Sequence, residues 1–185
     1  MSDIKNGQIL IAEPFMEDAF FRQAVILICE HTDESSHGFI LNKRLDDLNV
    51  TDLLDDLPEW FEAPVYFGGP VEQRRLNYLH NVGNLLEDSL EVLPGVWWGG
   101  DFNQLQFLIN SKLITPEHIR FYVGYTGWEA GQLSDELEMH SWILGEGDPN
   151  YVFDSKGKNL WATALRHKGG HYAAMAEVPR NIHYN

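Results

Sequence analysis

Apolar residues come in short runs along this chain, and most of those runs predict strands. Residues 7–14, GQILIAEP, form the first, ended by Pro14. PFMEDAFFRQ is irregular or briefly helical. AVILICEH (24–31) is apolar at successive positions, which predicts a central strand covered on both faces. TDESSH then predicts a six-residue loop into GFILNK, closing a hairpin. TDLLDDL predicts a short helix capped by Thr51, with Leu53, Leu54 and Leu57 inward and Pro58 limiting it. APVYFGGPV predicts a strand entering a Gly-Gly-Pro turn, with RLNYLHNV as its partner, and LEVLPGVWWGG is strand-like but interrupted at Pro94-Gly95.

The strongest helical signal is DFNQLQFLINSKL. Asp101 caps it, Gln104 stands where a capping box wants it, and Phe102, Leu105, Leu108, Ile109 and Leu113 form one stripe. IRFYVGY is rich in strand formers and enters a glycine-rich corner, GYTGWEAGQL, with a helix expected from about Glu129 to His140. SWIL extends again, GEGDPN turns, and NLWATALRH predicts a last amphipathic helix with Leu160, Trp161 and Ala164 inward. Strands dominate and helices do not alternate with them, so an α+β or mixed α/β fold is favoured over a doubly wound sheet. No repeat or linker divides the 185 residues, and one domain spanning 1–185 is expected.

Charge narrows the function. The formal net charge is −15 with 28 acidic and 13 basic residues. From Ser155 onward Lys156, Lys158, Arg166, Lys168 and Arg180 face only Glu177, a net of +4, which leaves −19 on the first 154 residues. Duplex binding needs clustered cations to neutralise phosphates, so direct nucleic-acid binding is disfavoured. Cys29 is the only cysteine, which excludes an internal disulfide and suits a reducing compartment. The N-terminus lacks a secretion-signal pattern and no apolar run is long enough to span a bilayer, so a cytoplasmic location without membrane association is expected.

The chemistry-bearing residues admit two readings each. At the glycine-rich corner, Gly124, Gly127 and Trp128 would either receive an anion on free backbone N–H groups or simply shape the chain around a core tryptophan. Gln132 and Glu136 share a helix face as a polar site or as mutual partners. His80 is a general base or a side chain bonded to a nearby turn. Cys29, His31 and His37 hold residue types that bind zinc, but no second knuckle accompanies them, and a buried apolar cysteine is the commoner use; no metal is expected. No nucleophile elbow, metalloprotease motif, dinucleotide fingerprint or phosphate loop occurs, and no cofactor is expected.

GQILIAEP, VILICEH with HGFILNK, VYFGGPV with YLH, GYTGWEAGQLSDEL with SWIL, then VFD and LWATALRHKGG together resemble, in order, the YqgE/AlgH family of bacterial proteins. The resemblance covers roughly residues 7 to 170. It implies a mixed sheet bent into a bifurcated pseudo-barrel with helices packed outside, and no established activity. Part of the family bears a transcriptional-regulator label, which the charge of this chain does not support as direct DNA binding. Positions carried over are Asn42, Gly68, Gly69, Pro70, His80, Gly124, Gly127, Trp128, Gly131, Gln132 and Leu133. Ser134 stands where members often have an acid, and Arg44 where they often have proline. Because Asn42, the Gly68-Gly69-Pro70 turn and the 124–128 corner all follow apolar strands, they are expected to line one cleft. The function expected is non-catalytic binding of a small ligand or a protein partner, with homodimerisation open and any regulatory effect indirect. The alternative is a hydrolase acting on an anionic metabolite at the glycine-rich corner, with His80 or Glu136 as acid/base.

Overall fold

β2 (Val25–His31) runs through the centre of the fold, and its alternation decides the layers. Val25, Leu27 and Cys29 enter one core, and Ile26 and Ile28 enter another on the opposite face. The computed structural model describes residues 4–154 and 159–177. Around β2 the chain sets β1 (Gln8–Ala12), β3 (Ser35–Ile40), β4 (Arg44–Asn49), β5 (Pro64–Phe67), β6 (Val71–His80), β7 (Leu90–Leu93), β8 (Val96–Trp98), β9 (Ile119–Glu129) and β10 (Trp142–Glu146). Among the described residues five helices accompany them: α1 (Phe102–Asn110), α2 (Gln132–Glu138), α3 (Pro149–Phe153), α4 (Leu160–Lys168) and α5 (His171–Met175). The architecture is mixed α+β, a curled half-barrel sheet with the order β10-β1-β2-β3-β9-β6-β8-β7.

The sheet bifurcates at β9. Its first half pairs with β5 in parallel, Val65↔Phe121 to Phe67↔Val123. On that same edge its second half pairs antiparallel with β3, from Gly38↔Thr126 to Ser35↔Glu129. β6 occupies the other edge. Helix α4 covers the core beneath β1 and β2, where the Trp161 indole donates to the Ala12 carbonyl at 2.7 Å. α1 covers the lobe of β5, β6 and β9 through Leu105, Leu108 and Ile109.

Several expectations from the sequence are corrected. The β2–β3 loop is not six residues long. Ser35, Ser36 and His37 join β3 because β9 gives them a partner, and Thr32 closes the tight turn by donating its N–H to the Ser35 carbonyl. Residues 51–57 are not an α-helix. Arg44–Asn49 is a strand because β5 pairs with it, a 3₁₀ turn at Val50–Asp52 follows, and Leu53 is exposed while Leu57 is buried. The cap there is Asn49 with Asp52, not Thr51. Pro94-Gly95 does not interrupt a strand but turns β7 into β8 as a hairpin. Gln104 leaves the capping box open, since its side chain accepts from the Glu87 N–H at 2.7 Å; Phe102 and Leu113 are exposed ends of the α1 stripe. β9 runs on to Glu129, so α2 begins only at Gln132. Among the described residues no helix is long and apolar enough to cross a membrane. Lys156, Lys158 and Arg180 of the basic C-terminal segment lie outside the described residues.

Candidate functional site

The Gly68-Gly69-Pro70 segment carries the chain across β9. Phe67 pairs with Val123 on one edge of β9, and Val71 pairs with Tyr125 on the other. Between them the two backbones touch. A Cβ on Gly68 would run into the Gly124 carbonyl, one on Gly69 into the Tyr125 carbonyl, and one on Gly124 into the Gly69 carbonyl. Gly124 also has φ +68°, which favours glycine. The corner is therefore a strand with a backbone crossing laid over it. Two further bonds fix the crossing: the Gly68 N–H donates to the Val123 carbonyl and the Ile40 N–H to the Gly68 carbonyl.

The other positions singled out from the sequence go to several places. The Asn42 side chain accepts from the Val25 N–H at 2.9 Å and donates to the Gln23 carbonyl at 2.8 Å, holding the entry to β2. It lies five residues beyond His37, the partner of Gly127, and two beyond Ile40, whose N–H donates to the Gly68 carbonyl. His80 is fully buried; its Nε2 bonds the Gly99 carbonyl at 2.8 Å and its Nδ1 accepts from the Val82 N–H. Burial pushes its pKa down, opposed by the Gly99 bond. Trp128 is buried beneath α2. Its indole and that of Trp142 both donate to Glu136 Oε2, at 2.9 and 2.7 Å, while Gln132 Nε2 donates to Glu136 Oε1. Cys29 is buried in an apolar core that drives its pKa up, His31 bonds Ser36, and His37 turns toward Glu30. Among the described residues no group of three His, Cys, Asp or Glu side chains is placed to hold a metal.

What the crossing does create is a pocket. Opposite the single residue Gly124, β6 carries four residues, 72–75, between its pairings at Val71 and Leu76. That bulge swings Arg75 to the mouth of a cavity of about 100 Å³ at the junction of β3, β9 and β6. Phe39, Trp98 and Tyr125 supply aromatic walls, with Phe39 and Trp98 edge to face at 5.6 Å. His37 leans on Tyr125 at 5.3 Å. Asn77, 6% exposed, brings a carboxamide whose one hydrogen bond, to the Arg75 carbonyl, is stretched to 3.5 Å. Nδ1 of His37 is buried without a hydrogen-bond partner, and Glu30 Oε2 stands 3.7 Å away. Of the residues gathered here only His37 was singled out from the sequence. Nothing local marks Asn77: alternation along β6 puts it with Leu79 but also with Gln73 and Arg75, so a polar residue there looks ordinary.

A larger cleft of about 400 Å³ lies between β1, β10 and α4. There the Tyr151 hydroxyl and His167 Nδ1 are hydrogen-bonded at 2.7 Å with stacked rings. The acids of that cleft are engaged: Asp148 caps α3 by accepting from the Asn150 N–H, and Glu146 accepts from Gln8.

Residues 9–173 match the profile of a family described as AlgH-like. A "UPF0301 protein" of Chlorobaculum parvum is 41% identical over 176 residues, covering 95% of this chain and 93% of that one. One of Parabacteroides distasonis is 35% identical over 182 residues, covering 97% and 91%. Among solved structures, the AlgH protein of Pseudomonas aeruginosa superposes with TM-score 0.76 at 28% identity, covering 98% of this chain and 97% of that one. A protein of Corynebacterium diphtheriae superposes with TM-score 0.77 at 21% identity, covering 94% and 92%, and so shares the fold.

Proposed function

The chain belongs to the AlgH-like family, and from that premise we propose that it is a non-catalytic protein that binds a small ligand in the pocket at the β3–β9–β6 junction. One observation carries this reading. Two polar groups, the buried Nδ1 of His37 without a partner and the weakly bonded Asn77 carboxamide, converge on one aromatic-walled cavity. Buried polar groups are ordinarily paired, because leaving one unpaired costs about 1–3 kcal/mol. A ligand that completes their hydrogen bonds recovers that energy.

Binding is favoured over hydrolysis because the acid/base candidates are engaged elsewhere. His80 commits both ring nitrogens to backbone groups, and Glu136 commits both carboxylate oxygens to side chains. The net charge of −15 supports an indirect rather than a DNA-bound regulatory role, and the single buried cysteine suits the cytoplasm. The test is a screen of small polar metabolites against the isotopically labelled full chain by NMR. Ligands are expected to move amide and indole resonances of His37, Asn77 and Trp98, and N77L is expected to weaken them. A screen whose hits all map outside these residues overturns the reading.

A further inference from the structure

Resting on that pocket, we infer that its ligand is a small zwitterion, an α-amino acid with a side chain no larger than that of alanine or serine. Size sets the first limit. A cavity of about 100 Å³ holds roughly three waters' worth of liquid volume. Nucleotides, sugar phosphates and peptides would have to project past the exposed Arg75 and the partly exposed Glu30 into solvent.

Charge sets the second. Glu30 on β2 and Arg75 on the β6 bulge line the same small space. Among the described residues no ion pair joins them to each other. Among the described residues the partly exposed Glu30 carboxylate is approached by His37 at 3.7 Å. Arg75 places Nη1 on Glu72 at 3.3 Å and keeps further N–H donors in its fork. A ligand bearing one sign of charge meets one of these groups unfavourably; a ligand with a carboxylate and an ammonium on the same carbon meets both favourably. The remaining surface agrees. Aromatic faces of Tyr125 and Trp98 attract an ammonium. His37 Nδ1, without a hydrogen-bond partner, accepts from it beside Glu30. The Asn77 amide NH₂ donates to the carboxylate and its carbonyl accepts from the ammonium. The His37 acceptor and the Asn77 carboxamide then both have partners on one small molecule.

The test uses the wild-type full chain and three probes of nearly equal size: L-alanine, propionate and sec-butylammonium, titrated by NMR. Alanine is expected to move the resonances of His37, Asn77 and the Trp98 indole, and to bind at least about tenfold more tightly than either single-charge analogue. In E30Q the alanine affinity is expected to fall about tenfold while propionate binds more tightly, its like-charge neighbour being gone, and thermal unfolding of the variant verifies that it is folded. Propionate binding as tightly as alanine at these residues sinks the zwitterion while leaving the pocket in use. The same is true of ligands from the broader screen that occupy the pocket while alanine does not. Alanine binding that maps elsewhere overturns the zwitterion and counts against the pocket as well.

Discussion

Replacing Glu136 with alanine removes the one carboxylate that ties α2 to the sheet. Trp128 on β9 and Trp142 at the start of β10 are 5% and 4% exposed, and their rings meet edge to face at 6.3 Å. Both indole N–H groups end on Glu136 Oε2. Leu133 anchors the same helix in the core below. A hydrogen bond to a charged group contributes about 1.5–3 kcal/mol, and the low end applies here because Glu136 is half-buried and water reaches it. Two such bonds give about 3 kcal/mol for E136A, and a fall in Tm of roughly 6–12 °C for a chain of this size. E136Q keeps a carbonyl oxygen for the two indoles and is expected to cost only about 1 kcal/mol. The assay is urea unfolding followed by tryptophan fluorescence, with near-UV circular dichroism reporting the indole pair. An E136A within about 1 kcal/mol of wild type, or an E136Q as damaging as E136A, refutes the clamp.

Three further outcomes follow from the same geometry. G124A combines a left-handed backbone with a Cβ aimed at the Gly69 carbonyl, and is expected to lose more than about 3 kcal/mol. G131A, at φ +77° but in open space, is expected to lose only about 1; equal losses in urea unfolding would refute the backbone crossing. Because burial lowers the folded-state pKa of His80 below its ordinary value near 6.5, the unfolded chain takes up the proton first. His80 therefore supports stability fully above about pH 6.5, and this is lost progressively as the pH falls below it. The stability gap between wild type and H80Q should narrow from pH 7 to pH 5, and a gap that widens contradicts the burial. Burial raises the Cys29 thiol pKa, so a thiol reagent at pH 8 should label the chain only at its rate of unfolding; fast stoichiometric labelling of native protein contradicts it.

The elements legible in the sequence are those whose periodicity is set by a face they own. AVILICEH has apolar residues on both faces, and β2 is covered on both faces. NLWATALRH turns Leu160, Trp161 and Ala164 inward, and α4 buries them. Illegible elements depend on a partner. Residues 51–57 place leucines at helical spacing, yet the pairing of β4 with β5 governs the approach, and of this stretch only Leu57 is buried, with Val50 buried just ahead of it. The glycines at 124 and 127 imply a corner on local grounds, since glycine usually punctuates strands. β9 passes straight through them, because Gly124 makes room for another segment of chain and Gly127 faces His37 in an ordinary pair.

That distinction also explains why the candidate site was mostly hidden. The glycines singled out from the sequence, Gly68, Gly69 and Gly124, belong to the crossing, and β6 bulges where it rejoins β9. The groups carried to the cavity are the neighbours: Arg75 and Asn77 beyond the bulge, Tyr125 between the glycines, and His37 and Phe39 on the strand opposite. None is unusual in its own stretch of sequence, and they meet only because β3, β6 and β9 are joined in one register. A glycine variant should therefore lower stability first and affinity only through it. A variant of Asn77 or Glu30 should lower affinity with a much smaller change in unfolding. Measuring both quantities on the same proteins separates the frame from the contacts, and glycine variants that lose affinity while keeping wild-type stability would assign the glycines to the ligand instead.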